Sequence, residues 1–252
     1  MLMSEGCMNS KGNYLNTVIL ILGESFTIIT MIRNIIAGDW SRWVLAAVSI
    51  LLLALPKITE ILFKKNLNSA IYILCTVYSA GHMVGHVYYL YYLLPWWDDL
   101  LHFTAGIIFA LLGFEFSRAL CRGRSAEVSF LLIAIFGFCF SMTISVLWEF
   151  GEYATDMLFG LDMQSDTIIH EISSFELNPD PGIRGIVSNI DEVIINGRPL
   201  GIGGYLDIGL IDTMSDLLLE ALGAFIVSLV LIVRKGRMTV FQKTENSSDK
   251  TA

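Results

Sequence analysis

The chain has 252 residues, of which 54% are hydrophobic and only 16% charged, with a mean hydropathy of +0.64 and a formal charge of −8. A soluble domain of that length does not carry such a composition. The acidic balance also runs opposite to what nucleic-acid binding needs, so that class is set aside.

Apolar runs of the roughly 20 residues needed to cross about 30 Å of hydrocarbon recur along the chain. They are predicted at 15–36, 41–62, 68–94, 99–118, 127–158 and 209–233. The third and fifth are longer than a minimal span, which implies tilt or projection beyond the bilayer. Residues 1–14 are polar, and the first apolar run lacks a small-residue cleavage site, so it is expected to remain as a helix. Cys7, Cys75, Cys121 and Cys139 are scattered without a Cys-x-x-Cys spacing, so neither a disulfide framework nor a thiolate zinc site is expected.

Basic residues choose the sides. Lys57, Lys64 and Lys65, then Arg118, Arg122 and Arg124, then Arg234, Lys235 and Arg237 flank alternate ends of the spans. The positive-inside rule makes those ends, and both termini, cytoplasmic. Arg33 and Arg42 lie near the first outer connection, against that trend. The expected architecture is an all-α polytopic membrane protein: a five-helix region over 15–158, an extracytoplasmic segment 159–208, a sixth helix at 209–233 and a polar, disordered tail at 234–252. Within the extracytoplasmic segment, β-branched runs around Asn196-Gly197 predict a small β-hairpin, and the preceding "FELNPDPGIRG" an irregular loop.

The polar residues inside the spans carry the functional signal. Asp98, Asp99 and His102 open the fourth helix, His102 standing three and four residues from the two acids. Glu149, Glu152 and Asp156 fall within about 60° of one another on the fifth helix. Asp212, Asp216 and Glu220 follow at four-residue steps on the sixth. An intramembrane charge costs several kcal/mol unless it is paired, hydrated or neutralised. Arg184 and Arg198 of the outer segment could neutralise two at most.

A divalent metal is the most economical counter-charge. The expected ligands are His102, Glu149, Glu152, Asp212 and Asp216, with Asp99 orienting the His ring and Asp156 available as a base. An oxygen-rich set with one His favours Mn, Fe, Mg, Ca or Zn. No motif calls for an organic cofactor. Asp98 and Asp156 have a plainer reading as acids sitting in the headgroup region.

His82 and His86 form an i,i+4 pair in the third helix beside Gly81 and Gly85, which admit close helix approach; interhelical hydrogen bonding is the plainer reading there and shared metal ligation the sharper one. Glu24 of the first helix could pair with either His. Tyr88, Tyr89, Tyr91 and Tyr92 read as an interfacial anchor.

Three functions follow: a metal-dependent membrane enzyme acting on lipid or cell-envelope substrates, a proton- or cation-coupled transporter using Glu24, His82, His86 and Glu220, or a scaffold whose outer hairpin binds another protein. Against transport, no inverted repeat is visible.

The segments "WWDDLLHFTAGIIFALLGFE", "LWEFGEYATD", "GLDMQSDT" and "DTMSDLLLEALGA" together resemble the YjdF-type family of uncharacterised bacterial inner-membrane proteins, and more distantly VanZ-like membrane proteins. The resemblance covers about half the chain. It implies the helical membrane fold and a bacterial plasma-membrane location, and names no reaction. The long insertion between "GLDMQSDT" and "LIDTMSDL" departs from the family pattern, which marks the hairpin as a lid or docking surface of this branch.

Overall fold

The computed structural model describes residues 3–63, 66–121 and 129–234. Lys64, Lys65, Arg122, Arg124, Lys235 and Arg237, on which the orientation argument leaned, lie outside the described residues, as does the tail from 235.

Among the described residues six long helices form over the predicted apolar runs: α1 Met3–Ile36, which starts well ahead of its run, α2 Trp40–Phe63, α3 Ser69–Val87, α5 Trp97–Cys121, α6 Phe130–Phe159 and α7 Leu210–Val233, with a single-turn α4 at Leu90–Leu93 between α3 and α5. All six are long and apolar enough to cross a membrane. The protein is a polytopic helical membrane protein. At 30 residues α6 is about 45 Å long, more than the hydrocarbon core requires.

Local sequence sets the breaks. Asn68 caps α3, its side-chain oxygen accepting from Ala70 N at 3.0 Å. The predicted third span does not run through to residue 94. Tyr88 ends α3, Tyr89 takes a left-handed conformation (φ 61), and α4 follows for one turn before Leu94 becomes extended ahead of Pro95. A bulky residue in that region is uncommon and needs outside support. Here Arg42 of α2 supplies it, lying 4.7 Å from the Tyr89 ring centroid and donating to its hydroxyl.

The chain divides into two compact units, Met1–Ser145 with Leu219–Ala252, and Val146–Leu218. We call them the helical unit and the acidic unit.

In the helical unit α5 is the central element: two-thirds of its most apolar stretch is buried (67%), against 17% for that of α1. The core joins Tyr72 of α3, Leu111 and Phe114 of α5, Ile133 of α6, and Ala224 and Leu231 of α7. Small residues let the backbones meet. Gly106 faces the carbonyl of Glu220 and the N–H of Ala224, and Gly223 faces the carbonyl of Phe103. A Cβ on Gly137 would stand 2.7 Å from the carbonyl of Ala110. Such close approach is how membrane helices gain packing energy when lipid is as apolar as the side chains.

Large apolar side chains on the remaining faces stay exposed, Leu51 at 70% and Leu62 at 73% among them. A hydrocarbon solvent accounts for them; in water, apolar exposure costs roughly 25 cal/mol per Å².

A second polar cluster in this unit has no counterpart in the sequence reading. Glu60 of α2 is buried and accepts from Lys57 Nζ at 2.8 Å, from Leu67 N at 3.0 Å and from Asn16 Nδ2 of α1 at 3.4 Å. One carboxylate thus ties α1, α2 and the start of α3. Arg33 and Arg42, which ran against the charge trend, are both engaged locally. Arg33 lies 5.2 Å from the Tyr88 ring centroid, and Arg42 pairs with Asp39 at 3.1 Å.

The acidic unit carries three antiparallel strand pairs. The outer pair joins β1 Thr167–Ile169 to β6 Tyr205–Asp207. Inside it are two consecutive hairpins, β2 Glu171–Ser174 with β3 Gly185–Ser188, and β4 Ile194–Ile195 with β5 Arg198–Pro199. The predicted Asn196-Gly197 turn is present, both residues at positive φ (53 and 77), as a type I′ turn demands. The predicted loop 175–185 begins with a 3-10 turn at Phe175–Leu177 and passes into β3. His170 is fastened by its backbone and its ring, Nδ1 lying 2.8 Å from the carbonyl of Ile190.

Candidate functional site

In the helical unit, α5 begins as a helix whose first turn carries both acids. His102 is buried, and Asp98 Oδ1 stands 3.7 Å from its Nε2. Asp99, to which spacing assigned the orienting role, is exposed on the neighbouring face. The i,i+4 partner therefore faces the ring, and the i,i+3 acid faces away. Asp98 is more than a headgroup acid.

Trp97 does more than sit in an interfacial belt: its Nε1 donates to the carbonyl of Gly81 at 3.2 Å, and a Cβ on Gly81 would run into Leu101. The small residues of α3 thus receive α5, as expected. His82 Nδ1 lies 3.2 Å from the hydroxyl of Tyr91, and Tyr91 also packs on His86 with ring centroids 4.6 Å apart. Tyr91 consequently turns inward between the two His, while Tyr92 is exposed at 84% and suits the anchoring role.

Further along the unit, Ser141 Oγ lies 3.2 Å from the carbonyl of Gly106 and 3.3 Å from Glu220 Oε1, and both Ser141 and Glu220 are buried. Ser141 was not among the residues expected at the site. Its signal was available: Ser141, Ser145 and Glu149 repeat at four-residue steps on α6.

The acidic unit holds Glu149, Glu152, Asp156, Asp212 and Asp216. Asp156 ends α6 by accepting from Met163 N at 2.6 Å and Gln164 N at 2.9 Å, one oxygen to each. That clasp sets the direction of the following loop. Asp212 Oδ2 accepts from Ser165 N at 2.8 Å, and Gln164 donates to Thr213 Oγ1. The start of α7 is thereby fastened to residues 164–165. Glu152 is turned toward Trp148, whose Nε1 donates to Oε1 at 2.8 Å. Asp216 is buried.

Glu149 is different from the other acids. It is 4% exposed, and neither carboxylate oxygen makes a hydrogen bond among the described residues. Its polar surroundings are the side chains of Thr213 and Gln164, with Asp212 as a like-charged neighbour. A buried carboxylate so weakly supplied with donors carries a desolvation cost of several kcal/mol, which a proton or a cation removes. Of the five residues expected to hold a metal, Asp212 is the like-charged neighbour of Glu149, Glu152 is set against Trp148, His102 has Asp98 for its neighbour, and Asp216 is buried in the acidic unit. Gln164 and Thr213, unforeseen from spacing, are the uncharged polar side chains beside Glu149.

Below the end of α6, Asp162 has its carboxyl raised above the ordinary value of 3.8, first by partial loss of water and then by Asp166 and Asp156. A raised carboxyl favours the protonated fold. Its stabilising contribution is therefore complete below the unfolded value and is lost as pH rises through the folded one. Asp162→Asn is expected to raise the thermal midpoint slightly at about pH 7 and leave it unchanged at about pH 3, read by thermal unfolding in detergent at both. Because the side chain is exposed, the effect is small.

Neither the comparison with curated proteins nor that with solved structures finds a match. A family model described as "Predicted membrane protein (DUF2238)" does match, over residues 18–237. That agrees with the uncharacterised membrane family implied by the sequence, although the YjdF-type and VanZ-like names are no part of it. With most of its length covered, the chain belongs to this family of predicted membrane proteins.

Proposed function

We propose that Glu149 and Asp212 hold a divalent cation, and that the protein is a metal-dependent enzyme acting on a lipid or cell-envelope substrate at the outer face of a bacterial plasma membrane. Both termini are cytoplasmic in this reading, as the distribution of basic residues favours. The carrying observation is Glu149: buried, without a hydrogen bond on either oxygen among the described residues, and beside a second acid.

Two carboxylates, with the Gln164 and Thr213 side chains near Glu149 able to turn an amide or hydroxyl oxygen inward, would make a hard-oxygen donor set suited to Mg, Mn or Ca. A cation there would polarise a phosphoryl or carbonyl oxygen or acidify a bound water. In the helical unit the Asp98–His102 pair has the form of a proton-transfer group, the carboxylate favouring one ring orientation.

A transporter is the second reading. It is favoured by Glu24 within α1, whose Oε2 is buried without a hydrogen bond among the described residues.

The test compares chelator-treated protein with and without added Mg, Mn, Ca or Zn. At a cation concentration about a hundred times the dissociation constant, the wild type gains about 2.7 kcal/mol, several degrees in thermal midpoint. Glu149→Gln shows no such gain. Equal responses in the two proteins would refute the assignment.

A further inference from the structure

The acidic unit has a groove on α6, lined by Leu147, Trp148, Gly151, Glu152, Thr155 and Met163. Its walls are apolar at Leu147 and Met163, and Gly151 makes the notch: nothing lies within 4 Å of the place a Cβ would occupy. Polar character is confined to one edge, where the indole N–H of Trp148 donates to Glu152 Oε1 at 2.8 Å and sets a negative charge beside an aromatic ring. Thr155 is turned back on its own helix, its hydroxyl donating to the carbonyl of Gly151 at 2.6 Å.

We propose that this groove docks a membrane lipid with an ammonium headgroup, the ammonium meeting Glu152 and the face of Trp148 while an acyl chain follows Leu147 past Gly151. Three observations choose this occupant. The groove belongs to a membrane-spanning helix whose neighbouring side chains, Leu147, Phe150 and Tyr153, are exposed as lipid-facing groups are. The local charge selects a cation: no Lys or Arg occurs between Arg124 and Arg184, while Glu152, Asp156, Asp162 and Asp166 follow the groove in sequence. An indole beside a carboxylate is also the pairing that recognises organic ammonium groups, by cation–π attraction and ion pairing together. A bare metal ion would gain nothing from the apolar walls, and an anionic headgroup would meet the like charge of Glu152.

The inference is independent of the cation assigned to Glu149. Gly151→Leu, which fills an open notch, is expected to leave metal content unchanged.

The experiment is native mass spectrometry of the detergent-solubilised full chain titrated with dioleoyl-phosphatidylethanolamine and dioleoyl-phosphatidylglycerol, which share acyl chains and differ in headgroup. The wild type should retain the ethanolamine lipid about five-fold better, and both Glu152→Gln and Gly151→Leu, checked for monodispersity, should bring the ratio to about one. Equal retention of the two lipids by the wild type overturns the proposal. So does a preference that survives either substitution.

Discussion

Gly106→Val is expected to remove the folded protein from detergent extracts, through a loss of about 3 kcal/mol or more. At Gly106 a Cβ would collide with the carbonyl of Glu220, and would stand 2.9 Å from the N–H of Ala224. Both are backbone atoms of α7, so no rotamer change relieves the contact and the helices must part. Separation would in turn open the crossing at Gly223 against Phe103 and strain the Ser141–Gly106 hydrogen bond. Gly151→Ala is the matched control: it adds the same kind of atom to an α6 position with open space and should leave the thermal midpoint within a degree or so. Size-exclusion profiles and thermal unfolding of the two variants, side by side, check the contrast.

Glu60→Ala is the second large effect, at about 2–3 kcal/mol. Little of that comes from the ion pair with Lys57, whose side chain is half exposed. Most comes from the donors left behind in a buried place, the N–H of Leu67 and the amide of Asn16, which lose their acceptor when the carboxylate goes. Glu60→Gln retains an acceptor oxygen for Leu67 and should lose less than half as much. If the two substitutions were equally destabilising, the charge would matter more than the hydrogen bonds, contrary to this account. Thermal unfolding of both variants in one detergent decides it.

The six spans were legible because an apolar run of twenty residues has few other uses, and the Asn196-Gly197 hairpin because its turn chemistry is local. The break after α3 was not. Nothing in "HVYYLYYLLP" announces a left-handed Tyr89, whose support comes from Arg42, 47 residues away. The pairs β1–β6 and β2–β3 were missed for the same reason: strands of three or four residues carry too little alternation to show, and β1 finds its partner across the whole segment.

At the candidate site, helical periodicity placed the acids on shared faces but could not rank Asp98 above Asp99, since offsets of three and four are both neighbours on a helix. Nor could it show that Asp156 and Asp212 fasten the backbone N–H groups of residues 163–165 while neither oxygen of Glu149 makes a hydrogen bond among the described residues. Which acid is satisfied depends on loop geometry. Spacing does not encode that.

The central claim, that Glu149 and Asp212 hold a divalent cation, is tested most directly by the metal content of the purified full chain. Inductively coupled plasma mass spectrometry is run on the wild type and Glu149→Gln, with Gly151→Leu as a folded control. The account predicts a divalent ion in near-stoichiometric amount in the wild type and in Gly151→Leu, and its loss from Glu149→Gln. Equal metal in all three, or none in the wild type after purification without chelator and with the cation supplied, would contradict it.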